Sequence, residues 1–274
     1  MINFLKNNKI MKISILGTGN LGSSIASGLL EKNMITQLFL TKKNLSTLNK
    51  WEKVPEVKIT TNNSNAVKNS DIIIICVQPS QFENLANEIK NYLTDRHTII
   101  STITGLSINK IEKIFGAKTN IIRAMPNTAI SIGKSTTCIC NNKHGKYKIE
   151  LAESIFNSLG ETFIINENDM QAATVLCASG IAFWMRLIRS TAQGGVQLGF
   201  ESNKSLKMSI STALGAVSLL MNNKSHPEQE IDRVTTPSGC TIKGLIEMEH
   251  HGLSSALISG LSSSFEKINQ ISSK

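Results

Sequence analysis

The chain has 274 residues, 41% of them apolar and 18% charged, with a net charge of +9. That length holds one large or two smaller domains with real cores, and the balance excludes a disordered chain. The lysines are scattered, with no arginine stripe and few interleaved aromatics, so the charge reads as solvated surface rather than a nucleic-acid interface. No apolar run looks long enough to span a membrane, Ile72 to Val77 being far too short. Five cysteines, an odd number without a disulfide framework, fit a reducing compartment, and the expected location is cytoplasmic. Residues 1–10 lack the apolar core and cleavage site of a signal peptide and read as a polar extension ahead of Met11.

The first element is Lys12-Ile-Ser-Ile-Leu16, a β-rich run that leads directly into Gly17-Thr-Gly-Asn-Leu-Gly22. A G-x-G-x-x-G turn between a strand and a helix is the signature of a dinucleotide site. Gly17 permits the tight turn, Gly19 lets the backbone approach a pyrophosphate, and Gly22 allows helix to pack on strand. The following helix offers free N–H groups and a positive dipole end to the phosphates.

Strands are expected next at residues 37–41, 57–60, 71–77, 97–102 and 120–124, with helices at 44–53, 81–92 and 108–114 between them. This alternation predicts a doubly wound parallel sheet, extended by a strand at 136–140, a helix at 148–159 and a strand at 161–165. Cys138 and Cys140 flank one residue of a strand, so both face the same way and read as small buried hydrophobes rather than metal ligands. From about residue 166 strand signals give way to apolar helices over 170–200 (kinked near Ser179-Gly180), 204–222, 241–250 and 253–271. Leu206, Ile210, Leu214, Val217 and Met221 recur at helical spacing in the second of these. A helical half this apolar needs a surface beyond its own first domain, and a homodimer interface is the expectation. The expected division is therefore residues 1–10, an extension; 11–165, a Rossmann-type dinucleotide-binding domain; and 166–274, an all-α dimerisation domain.

In an NAD site an acidic residue ends the second strand and binds the ribose hydroxyls. Here that strand ends Thr41-Lys42-Lys43-Asn44, with a hydroxyl and two lysines in place of a carboxylate. This pattern suits a 2′-phosphate, so NADPH is preferred and NAD is the alternative.

Four stretches resemble the pyrroline-5-carboxylate reductase family: the glycine turn; Cys76-Val77-Gln78-Pro79; Arg123-Ala-Met-Pro-Asn-Thr128; and Asp232-Arg-Val-Thr-Thr-Pro-Ser-Gly-Cys-Thr241 with Gly244-Leu245. The resemblance implies a Rossmann-type domain followed by a helical domain that exchanges contacts with a partner subunit. It implies hydride transfer from NAD(P)H to the cyclic imine of 1-pyrroline-5-carboxylate, giving L-proline, in a homodimer or a ring of dimers, with no nucleic acid or membrane partner. By the same resemblance Gly19, Asn20 and Leu21 would touch the pyrophosphate, Thr41 and Lys42 the adenosine ribose side, and Asn63 a ribose. Val77, Gln78 and Pro79 would approach the nicotinamide with Met125, Pro126 and Asn127. Thr236, Ser238, Gly239, Cys240 and Thr241 would form the substrate loop, with the Thr241 hydroxyl near the imine nitrogen.

Backbone N–H groups at a helix start suit the substrate carboxylate without an arginine. An imine protonates readily, so no strong general acid is needed, and no metal site is expected. Four departures stand out against the family pattern: Gln78 for a lysine, Ile181 and Phe183 for a proline and a tyrosine, Ser238 for the first glycine of Pro-Gly-Gly, and Cys240 for a threonine. A pocket enlarged around Ile181 would favour a six-membered cyclic imino acid. A third reading is a non-catalytic homologue that binds NADP and turns nothing over.

Overall fold

The computed structural model describes residues 11–272; the polar extension expected at 1–10 lies outside the described residues. The chain divides into two compact units, the first running to residue 179 and resuming at 265, the second spanning 180–264.

The first unit is an eight-stranded sheet: β1 (Lys12–Leu16), β2 (Gln37–Thr41), β3 (Val57–Thr60), β4 (Ile72–Ile75), β5 (Thr98–Ser101), β6 (Asn120–Met125), β7 (Ser135–Asn141) and β8 (Gly160–Ile164). Their order is β3-β2-β1-β4-β5-β6-β7-β8. The helices between them are α1 (Asn20–Glu31), α2 (Asn63–Lys68), α3 (Pro79–Ile89), α4 (Ile108–Phe115) and α5 (Ile149–Asn157), and α6 (Met170–Ala173) follows β8. Burial on both faces explains the composition of the central strands. In β4, Ile72 and Ile74 point into one apolar cluster with Ile25, Leu29 and Phe156, while Ile73 and Ile75 point into the other with Phe82, Ile89 and Ile111.

One pair breaks the expected parallel order, since β7 runs antiparallel to β6. The nine residues between Met125 and Ser135 form one short 3-10 turn (Thr128–Ile132), too little chain for the crossover a parallel return requires. Residues 45–51 form a 3-10 helix rather than the expected α-helix. Helix α2, absent from the sequence reading, is six residues long and too short to show an apolar period. Asn62 starts it by accepting the Asn65 N–H at 2.8 Å.

The second unit is all helical: α7 (Gly180–Gln197), α8 (Ser202–Asn223), α9 (Pro227–Val234), α10 (Cys240–His250) and α11 (Leu253–Ser272), whose last turns belong to the first unit. A π-helical segment, Thr174–Ser179, precedes α7 where a simple kink was expected. Helix α9 was also unforeseen, its eight residues being mostly charged. Within this unit α8 crosses α7 at Gly195, where any Cβ would collide with the Ser205 hydroxyl, which donates to Ala192 O at 2.7 Å. The stripe on α8 is not covered by its own unit: Leu214 and Met221 are 67% and 70% exposed.

The expectation about membrane spans needs correcting. The helical run Glu167–Gln197 reaches a mean hydropathy of 1.4 over a span-length window, only 17% of it buried. Scattered polar residues hide this in a residue-by-residue reading, because no single uninterrupted apolar run carries the average.

Candidate active site

The strand order reverses at β1, which lies between β2 and β4, and in such sheets the crevice beyond the carboxyl ends of the strands at that point takes the ligand. Gly17 turns the chain there with φ +89, and a Cβ on it would lie 2.5 Å from Val77 Cγ1 and 3.1 Å from the backbone at Cys76 and Val77. Glycine is needed on both counts. A Cβ on Gly22 would meet Gly17 O and Ile15 Cγ2 at 3.0 Å, the close helix–strand packing expected of it. At Gly19 a Cβ would meet nothing within 4 Å. Gly19 starts α1 without a side-chain cap and with no acid in the first turn. The first N–H groups of a helix have no acceptor within it, so this turn presents donors to open space.

The end of β2 behaves differently from its sequence reading. Thr41 is buried, and its carbonyl accepts the N–H groups of Gly17 and Thr18 at 3.2 and 2.8 Å. Its hydroxyl accepts Gly17 N–H at 3.4 Å. Thr41 therefore holds the glycine turn. The exposed groups beside it are Lys42, whose Nζ donates to Thr47 Oγ1 at 2.8 Å, Lys43 and Asn44. Asn63, expected at a ribose, donates its amide to Glu88 Oε2 at 2.9 Å.

The ends of β4 and β6 come to the same edge of the sheet. Val77 is half-buried, and Gln78 and Pro79 are exposed, with Pro79 as the first residue of α3. Gln78 N–H donates to the Gln81 side chain at 3.2 Å. Beneath them the Cys76 thiol is pushed up to about 12, chiefly by burial, while the Thr102 hydroxyl donates to its sulfur at 3.3 Å and opposes the rise. This thiol stays protonated at neutral pH.

Met125, Pro126 and Asn127, expected along the nicotinamide, are all buried. Asn127 is fully engaged: its amide donates to Cys177 O at 3.0 Å, its Oδ1 accepts Ala129 N–H at 3.0 Å, and its backbone N–H donates to Ser135 Oγ at 3.1 Å. The carbonyl that Asn127 holds belongs to the π-helical segment Thr174–Ser179. These three residues form a buried corner at the end of β6.

Sequence reading missed the partner of Arg123. This side chain is 2% exposed, and its Nη1 lies 3.0 Å from Glu167 Oε1, which also accepts Ile108 N–H at 2.6 Å. A separation of 44 residues leaves no local spacing to mark the pair; a buried strand arginine was the only signal available.

In the second unit Thr236, Pro237, Ser238 and Gly239 make a β-turn, closed by Gly239 N–H to Thr236 O at 3.0 Å. Proline at the second position and φ +56 at Ser238 define type II, which favours glycine at the third. A Cβ on Gly239 would collide with the Thr236 hydroxyl. Helix α10 then begins at Cys240 with no side-chain cap and no acid in its first turn. The loop leaves Thr236, Ser238, Cys240 and Thr241 exposed, with the N–H groups of the first turn unclaimed by a cap.

Residues 12–105 match a family model described as NADP oxidoreductase coenzyme F420-dependent, and residues 167–271 match one described as pyrroline-5-carboxylate reductase dimerisation. The chain is 43% identical to pyrroline-5-carboxylate reductase 2 of Dictyostelium discoideum, over 96% of this chain and 93% of that protein. It is equally similar to pyrroline-5-carboxylate reductase 1 of the same organism, but spans only about half (49%) of that relative's length. A crystal structure of Plasmodium falciparum pyrroline carboxylate reductase with NADP bound superposes with a TM-score of 0.87 at 27% identity, covering 96% of this chain and 98% of that one. The Coxiella burnetii pyrroline-5-carboxylate reductase gives 0.88 at 26%, covering 96% and 99%. With a glycine turn at the switch point, a dimerisation domain behind it and these relatives along nearly its whole length, the chain belongs to the pyrroline-5-carboxylate reductase family of oxidoreductases.

Proposed function

We propose that the chain reduces 1-pyrroline-5-carboxylate to L-proline with NADPH, the last step of proline biosynthesis. The observation that carries this is the 43% identity to a curated reductase of that name across 93% of its length. The site's own geometry supports it. When bound, the cofactor supplies the hydride; the chain's residues bind, orient and exclude water. Asn20 and Leu21 offer backbone N–H groups to the pyrophosphate, and the open space over Gly19, whose own N–H donates to Gly17 O at 2.8 Å, leaves room for it. Lys42 and Lys43, with no carboxylate between residues 37 and 51, favour a 2′-phosphate. Val77 and Pro79 border the nicotinamide approach, with Gln78 adding no charge, and Asn63 reaches a ribose on releasing Glu88.

The uncapped start of α10 receives the substrate carboxylate through the N–H groups of its first turn, from Cys240 onward, and the Thr241 hydroxyl hydrogen-bonds near the imine nitrogen. Thr236 and Ser238 set the shape of that loop. Residues 11–165 serve as the cofactor domain and 166–274 as the dimerisation and substrate-loop domain. The partner is a second copy, as a homodimer or a ring of dimers. In this reading the apolar helical run is covered by that copy rather than by lipid, nucleic acid has no part, and the enzyme works in the cytoplasm.

The test is oxidation of NADPH in the presence of pyrroline-5-carboxylate, with Thr241→Ala as the paired variant. Turnover that falls steeply in the variant supports both reaction and loop. NADPH that binds without being oxidised overturns the assignment. Turnover of a six-membered cyclic imino acid alone would move the substrate, and inactivity on both would leave a non-catalytic binding protein.

A further inference from the structure

Cys138 and Cys177 lie on different elements of the first unit, β7 and the π-helical segment, yet their sulfurs are 3.8 Å apart. The two positions are unlike. Cys138 is 3% exposed, whereas Cys177 is half-buried and reachable from solvent. The Cys138 thiol donates toward the Cys177 sulfur. That bond favours the Cys177 thiolate and lowers its pKa, while it raises that of Cys138, burial adding to the rise. An accessible thiolate beside a buried thiol is the arrangement of an attacking and a resolving cysteine. The surrounding backbone is also unusual: Cys177 lies in the π-helical segment, and its carbonyl accepts the Asn127 amide of the Met-Pro-Asn corner.

We propose that Cys138 and Cys177 form a peroxide-oxidisable dithiol, a reversible modification site wired to the Met-Pro-Asn corner. The chemistry balances in two steps. The Cys177 thiolate attacks one oxygen of hydrogen peroxide, the O–O bond breaks, and Cys177 sulfenic acid and hydroxide result. The Cys138 sulfur then attacks the sulfenic sulfur, the S–O bond breaks, and the disulfide forms as water leaves with the thiol proton. Sulfur is oxidised by two electrons and peroxide is reduced by two. Bonding draws the sulfurs together by about 2 Å, to the usual S–S length near 2.05 Å. The π-helical segment moves toward β7, and the Asn127 amide, bonded to Cys177 O, transmits that movement to the corner. A dithiol reductant reverses the change by exchange.

The experiment treats the full-length protein with hydrogen peroxide and counts free thiols, with mass spectrometry of non-reduced peptides. The expected loss is two of the five thiols, recovered with a dithiol reductant, and a cross-linked peptide pair containing Cys138 and Cys177. In Cys138→Ser the expected product is a sulfenic acid at Cys177 that dimedone traps, which the wild type does not retain. Five thiols surviving in the wild type, a cross-link elsewhere, or a dimedone adduct that persists on wild-type Cys177 would overturn the proposal. These readouts are chemical and do not depend on turnover, so they fail or succeed separately from the reductase assignment.

Discussion

Alanine at Gly17 and at Gly19 separates folding from ligand capture, although the two residues are neighbours in one turn. At Gly17 the new side chain meets two obstacles. The left-handed φ of +89 costs an L-residue roughly 1–2 kcal/mol. The Cβ, 2.5 Å from Val77 Cγ1 and 3.1 Å from two backbone atoms, adds a further ~1–3 kcal/mol of overpacking. The sum, about 2–5 kcal/mol, is a large share of an ordinary domain's stability. At Gly19 φ is −83 and a Cβ meets nothing within 4 Å, so stability should change by less than about 0.5 kcal/mol. The methyl there instead occupies the space assigned to the pyrophosphate and should weaken NADPH by roughly tenfold to a hundredfold. Urea unfolding followed by circular dichroism, at one fixed protein concentration, reads the first effect. Calorimetric titration with NADPH reads the second. A Gly19→Ala protein that binds NADPH as tightly as the wild type would refute the placement of the cofactor, and a Gly17→Ala protein of unchanged stability would refute the strain argument.

The other predictions concern sites away from that turn. Ser238→Gly removes a left-handed L-residue and, after the entropy cost of glycine, should stabilise by roughly 0.5–1 kcal/mol, seen as a higher urea midpoint. His97 is buried and neutral, accepting Thr94 N–H at Nδ1 (2.9 Å) with Nε2 3.2 Å from Val67 O, and burial chiefly holds it below the ordinary 6.5. The unfolded chain therefore takes the proton first: this stability is complete above 6.5 and is lost as pH falls below it. His97→Gln should flatten that acid-side slope, and an unchanged slope would assign it to other groups. Glu167→Gln leaves the Arg123 charge buried without its counter-ion and should cost roughly 2–3 kcal/mol; an unchanged unfolding midpoint would show that the pair contributes nothing. Leu214→Glu puts a charge into the exposed stripe of α8 and should shift sedimentation to the monomer, whereas an intact dimer would place the interface elsewhere.

The sheet was legible because its code is local. Four consecutive isoleucines in β4 announce burial on both faces, and the glycine turn follows β1 without a gap. The loops at the carboxyl edge were legible as motifs, but not the division of labour within them. The resemblance assigns both Thr41 and Asn127 to the cofactor, yet their polar groups hydrogen-bond within the protein itself, which only the partners reveal. The reversal at β7 follows from loop length, a weak signal beside the apolar pattern. Arg123 with Glu167 and Cys138 with Cys177 are long-range pairs, and no spacing rule reaches across 44 or 39 residues. The π-helical segment was visible only as an interruption, since no residue type in Thr174–Ser179 marks a widened helical turn.

In the homodimer proposed above, the uncovered stripe on α8 would tie the lifetime of this fold to its abundance. For a chain whose folded form depends on a second copy, each tenfold dilution withdraws about 1.4 kcal/mol per mole of dimer from the folded side. A melting temperature for such a dimer has meaning only beside the concentration at which it was taken. Freshly made chains in a cell face the same arithmetic: a scarce one keeps its leucines and methionines in water, open to proteolysis, until it meets another.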